Sequence, residues 1–193
     1  MKVKLTLTEG MLGTKAAKEE LLADFIASKH PEAAQDDEMD TMPDMEEELK
    51  NGTTVFNRDD DGTPFIFDYQ IKGFFKDAQG VLGRIPENKM PAFKKIIDGL
   101  IFIDERRIRL EMPEGKNITF CERPLRAQTA QGERISLARS EEVPAGTTMT
   151  FTITMLDEKL KKNVMEWLKY GALRGLGQWR NSGKGRFSFE VLD

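Results

Sequence analysis

A chain of 193 residues with 39% hydrophobic content is long enough to bury one core without staples, so a single domain spanning 1–193 is expected. A lone cysteine, Cys121, and a lone histidine, His30, exclude an intrachain disulfide framework, a CxxC metal site and a histidine cluster, and no cofactor or metal is expected. The net charge of −4 argues against a generic nucleic-acid coat, and the absence of a long apolar run or a signal-like N-terminus leads us to expect a soluble, cytoplasmic protein.

The opening "KVKLTLT" alternates Val3, Leu5 and Leu7 with Lys and Thr, the period-two signature of a strand with one buried face. From Thr14, a plausible N-cap, to Lys29, Ala17, Leu21, Leu22, Phe25 and Ile26 recur at helical spacing, and Pro31 lies just beyond. Composition then turns acidic: residues 31–61 carry twelve Asp or Glu against Lys50 and Arg58, and a short helix opening at Pro43 is expected to end near Asn51-Gly52. The region 14–52 therefore reads as a helical and acidic insertion.

A turn at Asp61-Gly62 leads into an extended run from Phe65 to Phe67, and "YQIKGFFKDAQGVLG" reads as an amphipathic helix broken at Gly80 or Gly83. Another short helix is expected over Pro86 to Asp98. "LIFIDERRIRLEM" sets two apolar runs either side of Asp104 to Arg107, consistent with a hairpin. The block 113–146 mixes extended pieces with loop signals and carries Arg123, Arg126, Arg134 and Arg139 against few acids, which reads as a long basic hairpin or thumb. Cys121 lies in its apolar start and is most simply a buried small residue.

"TTMTFTITM" is a strand by its alternation of Met149, Phe151, Ile153 and Met155. Asp157 caps a helix in which Leu160, Val164, Trp167, Leu168 and Gly171 form one stripe, and "RFSFEVL" closes the chain as a strand. Between these two lies "GALRGLGQWRNSGKGRF", where Lys169 to Arg186 holds Lys169, Arg174, Arg180, Lys184 and Arg186 with no acid.

Within that segment Gly175, Gly177, Gly183 and Gly185 are spaced GxGxxxxxGxG. A dinucleotide loop sits between a strand and a helix, whereas this one follows a helix and precedes a strand. A Walker loop requires four residues before Gly-Lys-Ser/Thr, whereas five lie between Gly177 and Gly183 and Gly185 follows Lys184. What remains is either a helix cap with a tight turn or a loop suited to a phosphodiester backbone, with Arg180, Lys184 and Arg186 supplying charge. Trp179 either stacks on a base or packs beneath the loop.

The four-glycine pattern resembles that of the RAMP superfamily of CRISPR-associated RNA-binding proteins. Two further stretches are similar to the backbone subunits of type III-like effector complexes. "TPFIFDYQIKGFFKD" aligns Pro64, Ile66, Ile71, Lys72 and Gly73 with their strand-to-helix stretch, with the Pro-Gly-Ser-Ser portion replaced by Phe67 to Gln70. "RISLARSEEVPAGTTMTF" resembles another through Glu141, Pro144, Gly146 and Phe151. The missing portion and small size suit a divergent relative from a phage or mobile element.

The resemblance implies an α+β, ferredoxin-like fold akin to an RNA recognition motif, with a four-stranded antiparallel sheet and two helices. It implies a single-stranded RNA ligand, with single-stranded DNA as the alternative, held by Lys72, Arg123, Arg126, Arg134, Arg180, Lys184 and Arg186 beside Gly175, Gly177, Trp179, Gly183 and Gly185. It also implies head-to-tail association with copies or other effector subunits, in which the acidic segment 36–48 could meet a neighbour's basic face.

A binding role without catalysis is expected. Asp36, Asp37, Asp40 and Asp44 lack the glycine-rich context of the nuclease subunits and read as a solvated surface. His30 occupies a zone comparable to the histidine of the guide-RNA-processing branch, so a metal-independent endoribonuclease is the enzymatic alternative. A helix-end histidine more simply caps the last carbonyls. A structural protein reusing the fold is the third reading.

Overall fold

The computed structural model describes residues 1–17, 52–129 and 132–192, and only the backbone over 125–129 and 132–136. The strands are β1 (Lys2–Leu7), β2 (Met11–Leu12), β3 (Lys15–Ala16), β4 (Thr53–Val55), β5 (Asn57–Arg58) and β6 (Pro64–Phe67). After them come β7 (Ile101–Ile103), β8 (Arg107–Arg109), β9 (Thr119–Thr129), β10 (Gly132–Val143), β11 (Thr148–Met155) and β12 (Phe187–Val191). The described α-helices are α1 (Asp68–Leu82), α2 (Phe93–Leu100) and α3 (Lys161–Arg174). The architecture is mixed α+β.

The alternation in β1 does what its period demands: Val3, Leu5 and Leu7 are buried. They share a face with Met149, Phe151 and Ile153 of β11, in the register Val3↔Phe151 and Leu5↔Met149. β12 pairs along the other edge of β1, with Leu7 opposite Phe187, and β7 joins β11. The result is a four-stranded antiparallel sheet in the order β12-β1-β11-β7, and the chain runs through it as β1-α1-β7-β11-α3-β12.

The apolar stripes of α1 and α3 join this core. α1 contributes Ile71, Phe74, Phe75 and Ala78, and α3 contributes Val164, Trp167 and Leu168. The Phe75 ring lies 5.3 Å from Trp167, and Phe74 meets Phe187 edge-on at 5.5 Å. Burying each such side chain contributes roughly 1.5–3 kcal/mol, which is why the two helix stripes are fixed on this sheet. The polar handle of Trp167 is satisfied internally: its Nε1–H donates to Gln79 Oε1 at 2.8 Å, and Gln79 Nε2 donates to the Asn88 carbonyl at 2.8 Å. Gln79→Leu orphans a buried indole N–H and a carbonyl together, and urea denaturation should show a loss of about 2 kcal/mol.

Several expectations are corrected. Thr14 does not open a helix; Lys15 and Ala16 are extended and pair with Val55 and Thr54, because the edge of β4 is there to receive them. Thr14 Oγ1 instead accepts from Gln70 Nε2 at 3.0 Å. Residues 18–51, which hold most of the expected insertion, lie outside the described residues. Around Asp104 there is no hairpin: β7 pairs with β11, whereas β8 pairs with β6 in a separate three-stranded sheet, β5-β6-β8. The switch of sheets is held by Glu105, which accepts from Thr152 N at 2.6 Å, and by Arg107 on Asp59 at 3.0 Å. Pro86–Asn88 forms only a 3-10 turn, and α2 begins later, after Ala92 at φ 51°. Cys121 is half-buried rather than buried.

The block 119–143 forms a long antiparallel ribbon, β9 against β10, with Arg123 opposite Ala138 and Arg134 opposite Ala127. β10 also pairs with β2 and, in parallel, with β4. Its foot is anchored by Glu141, which accepts from Phe56 N at 2.9 Å and from Arg58 Nη2 at 2.6 Å. In the neighbouring sheet, the Thr63 backbone N–H and then Arg109 hold the Asp61 carboxyl down to about 2. Among the described residues no helix is long and apolar enough to cross a membrane.

Candidate nucleic-acid interface

After α3 the chain turns at Gly175 and returns to β12 after Gly185, and all four glycines of the segment have positive φ. Two of them meet back to back. A Cβ on Gly185 would lie 1.9 Å from the Leu176 carbonyl oxygen, and one on Gly175 would lie 2.4 Å from that of Lys184. The Leu176 N–H donates to the Gly185 carbonyl at 2.8 Å, and Gly185 N–H donates to that of Gly10 at 2.8 Å. The glycines at this crossing serve the closure of the loop itself. The surface offered outward is made by side chains.

Those side chains border an open cavity of about 540 Å³, lined by Arg174, Gln178, Trp179, Arg180, Asn181 and Ser182. An adjoining depression shares Arg180 and Gly177 and is walled by Gln70, Gly73 and Asp77 of α1. Arg180 Nη1 lies 2.9 Å from Asp77 Oδ2, and Arg174 Nε lies 3.2 Å from the same oxygen. Lys184 Nζ sits 2.6 Å from Glu142 Oε1 at the foot of the ribbon, and Arg186 Nε donates to the Leu173 carbonyl at 3.1 Å. Asp77 and Glu142 do not figure among the sequence-derived candidates. Their partners are 97, 103 and 42 residues away, and no local pattern signals such pairs.

Arg123 reaches the same place from β9. Its guanidinium lies against the ring of Trp179, it is 5% exposed, and Nε and Nη1 have no hydrogen-bond partner. Burial pushes it below the usual arginine value, an effect that Cys121 and Glu142 partly oppose. Lys72 is not brought to this surface: its Nζ donates to the Asp98 carbonyl at 3.1 Å and lies over Phe102. Arg126 and Arg134 belong to the part of the ribbon described only as backbone, and His30 and the acids 36–48 lie outside the described residues. Among the described residues no group of His, Cys, Asp and Glu is placed to hold a metal ion.

Segments 64–73, 139–146 and 175–185 thus meet, with Gly73 and Arg180 lining one depression and Glu142 on Lys184, and β9 joins them through Arg123 on Trp179. The chain matches a chain of the type III-B Cmr-beta complex bound to cognate target RNA at a TM-score of 0.53 and 15% identity, over 98% of its own length and 58% of the other. It has the fold of a CRISPR-complex chain. A second match, in a type IV-B CRISPR complex, has a TM-score of 0.50 and 11% identity, over 98% of this chain and 89% of that one. The chain therefore spans little more than half the length of the type III-B chain it resembles. No family model and no curated protein matches the sequence.

Proposed function

We propose that the protein is a ferredoxin-like, RAMP-type subunit of a CRISPR-type ribonucleoprotein that binds single-stranded RNA without cleaving it. The observation that carries this reading is the contact of Arg123 with Trp179, which joins the basic ribbon to the 175–185 loop. Arg123, Arg174, Arg180 and Lys184 gather around this loop, the last three bridged to Asp77 and Glu142, and a half-buried aromatic among cations is what an unpaired strand needs: charge for phosphates and a face for bases. The fold shared with chains of two CRISPR complexes supports the assembly context. Head-to-tail contact with copies or with other effector subunits belongs to the same reading.

Asp77 supplies the test. Its carboxylate competes with phosphate for Arg174 and Arg180. Filter retention of labelled single-stranded RNA at low salt should show binding by the native protein and affinity about threefold tighter for Asp77→Asn, the size of a partly exposed ion pair. No retention by either protein contradicts the proposal.

A further inference from the structure

Two local costs coincide beneath the cavity. Trp179 is one of two described non-glycine residues with positive φ, at 55°, a conformation that a bulky side chain rarely adopts. Its ring lies against a guanidinium that is 5% exposed and almost without acceptors: Nη2 is 3.5 Å from Ser140 Oγ, while Nε and Nη1 have none. An aromatic ring answers the charge of a guanidinium but offers its N–H groups no oxygen acceptor, and a buried donor left unpaired is unfavourable. Glu142, whose charge acts on the guanidinium, is bridged to Lys184. Trp179 is also a wall of the 540 Å³ cavity, so its ring stands at the boundary between that cavity and the guanidinium.

Resting on the RNA-binding reading above, we infer that Arg123 is a covered phosphate site: Trp179 swings off the guanidinium when a strand enters the cavity, a backbone phosphate takes the Nε–Nη2 edge in place of the 3.5 Å contact to Ser140, and the displaced indole stacks on the adjoining base. The edge of an arginine matches a phosphate in two parallel hydrogen bonds, which an ammonium cannot reproduce. The phosphate supplies acceptors that the buried guanidinium lacks, so the ligand removes a cost that the covered state carries.

The test follows Trp179 emission while a short oligouridylate is added, with Trp179→Leu as the blank that leaves the buried Trp167 signal. Emission should change as RNA saturates. Arg123→Met, which keeps an unbranched apolar stem and removes the unpaired charge, should weaken RNA binding at least about tenfold while the denaturation midpoint holds or rises. An arginine that only packs the ribbon gives the reverse, a lower midpoint with unchanged affinity, and this result overturns the inference. So does unchanged wild-type emission at saturation, which needs no variant to fold. Uridine monophosphate and inorganic phosphate are run in parallel; either one changing the emission at the oligonucleotide's concentration makes this a free-anion site and overturns the strand-backbone assignment. Absent RNA binding altogether, the proposed function fails first. Binding that depends on Arg180 and Lys184 but moves neither Trp179 nor Arg123→Met defeats this inference alone.

Discussion

Replacing Gly185 with alanine is expected to destabilise the protein by about 3 kcal/mol or more, a loss larger than that of Gln79→Leu in the core. Two effects combine. Gly185 has φ 72°, where an L side chain costs roughly 1–2 kcal/mol, and its Cβ would meet the Leu176 carbonyl oxygen at 1.9 Å. The neighbouring backbone cannot yield easily, because the Leu176 N–H is bonded to the Gly185 carbonyl and the Leu176 side chain is buried. Gly62 provides the control: its φ is 81°, but nothing lies within 4 Å of its Cβ position. Gly62→Ala should therefore cost only about 1 kcal/mol. Chemical denaturation of the two variants separates backbone conformation from steric closure. Equal losses contradict the account of the loop crossing.

Arg180→Ala combined with Lys184→Ala should lower affinity for single-stranded RNA by at least about tenfold at low salt. The same change should flatten the dependence of log affinity on log salt by about 1.4, since each phosphate contact to a single strand contributes roughly 0.7. The fold should survive, because both bridges are partly open to water and worth about 0–1 kcal/mol each. Losing affinity with an unchanged salt slope assigns the effect to something other than phosphate contact. Arg180 opens the short turn that follows Trp179 and Lys184 lies just past its end, so their loss strips charge from this loop.

The strands of the central sheet were legible because each gives a single face to the core. Val3, Leu5 and Leu7 and then Met149, Phe151 and Ile153 alternate in sequence and are buried in the structure. The stripe containing Trp167 was legible for the same reason at helical period. What the sequence did not disclose was pairing. The two runs flanking Asp104 look like one hairpin because a local turn separates them, yet their partners, β11 and β6, lie far off along the chain. Lys15 and Ala16 carry no strand pattern and are extended only because β4 lies alongside.

The candidate site divides in the same manner. The glycine spacing located the loop, and the basic content of 113–146 located Arg123, but their contact joins residues from β9 and from beyond α3. Lys72 was drawn to the site by its place beside Gly73. The helix geometry separates them, since Gly73 lines the depression that Arg180 also borders while Lys72 reaches Asp98. Asp77, which holds both Arg174 and Arg180, carries no signal until the fold brings α1 against the loop.

The most direct measurement is an equilibrium titration of labelled single-stranded RNA against the native protein across a series of salt concentrations. Cations meeting phosphates predict tight binding at low salt and a log–log slope of about −2 or steeper. Absence of binding at low salt, or affinity indifferent to salt, contradicts the central claim.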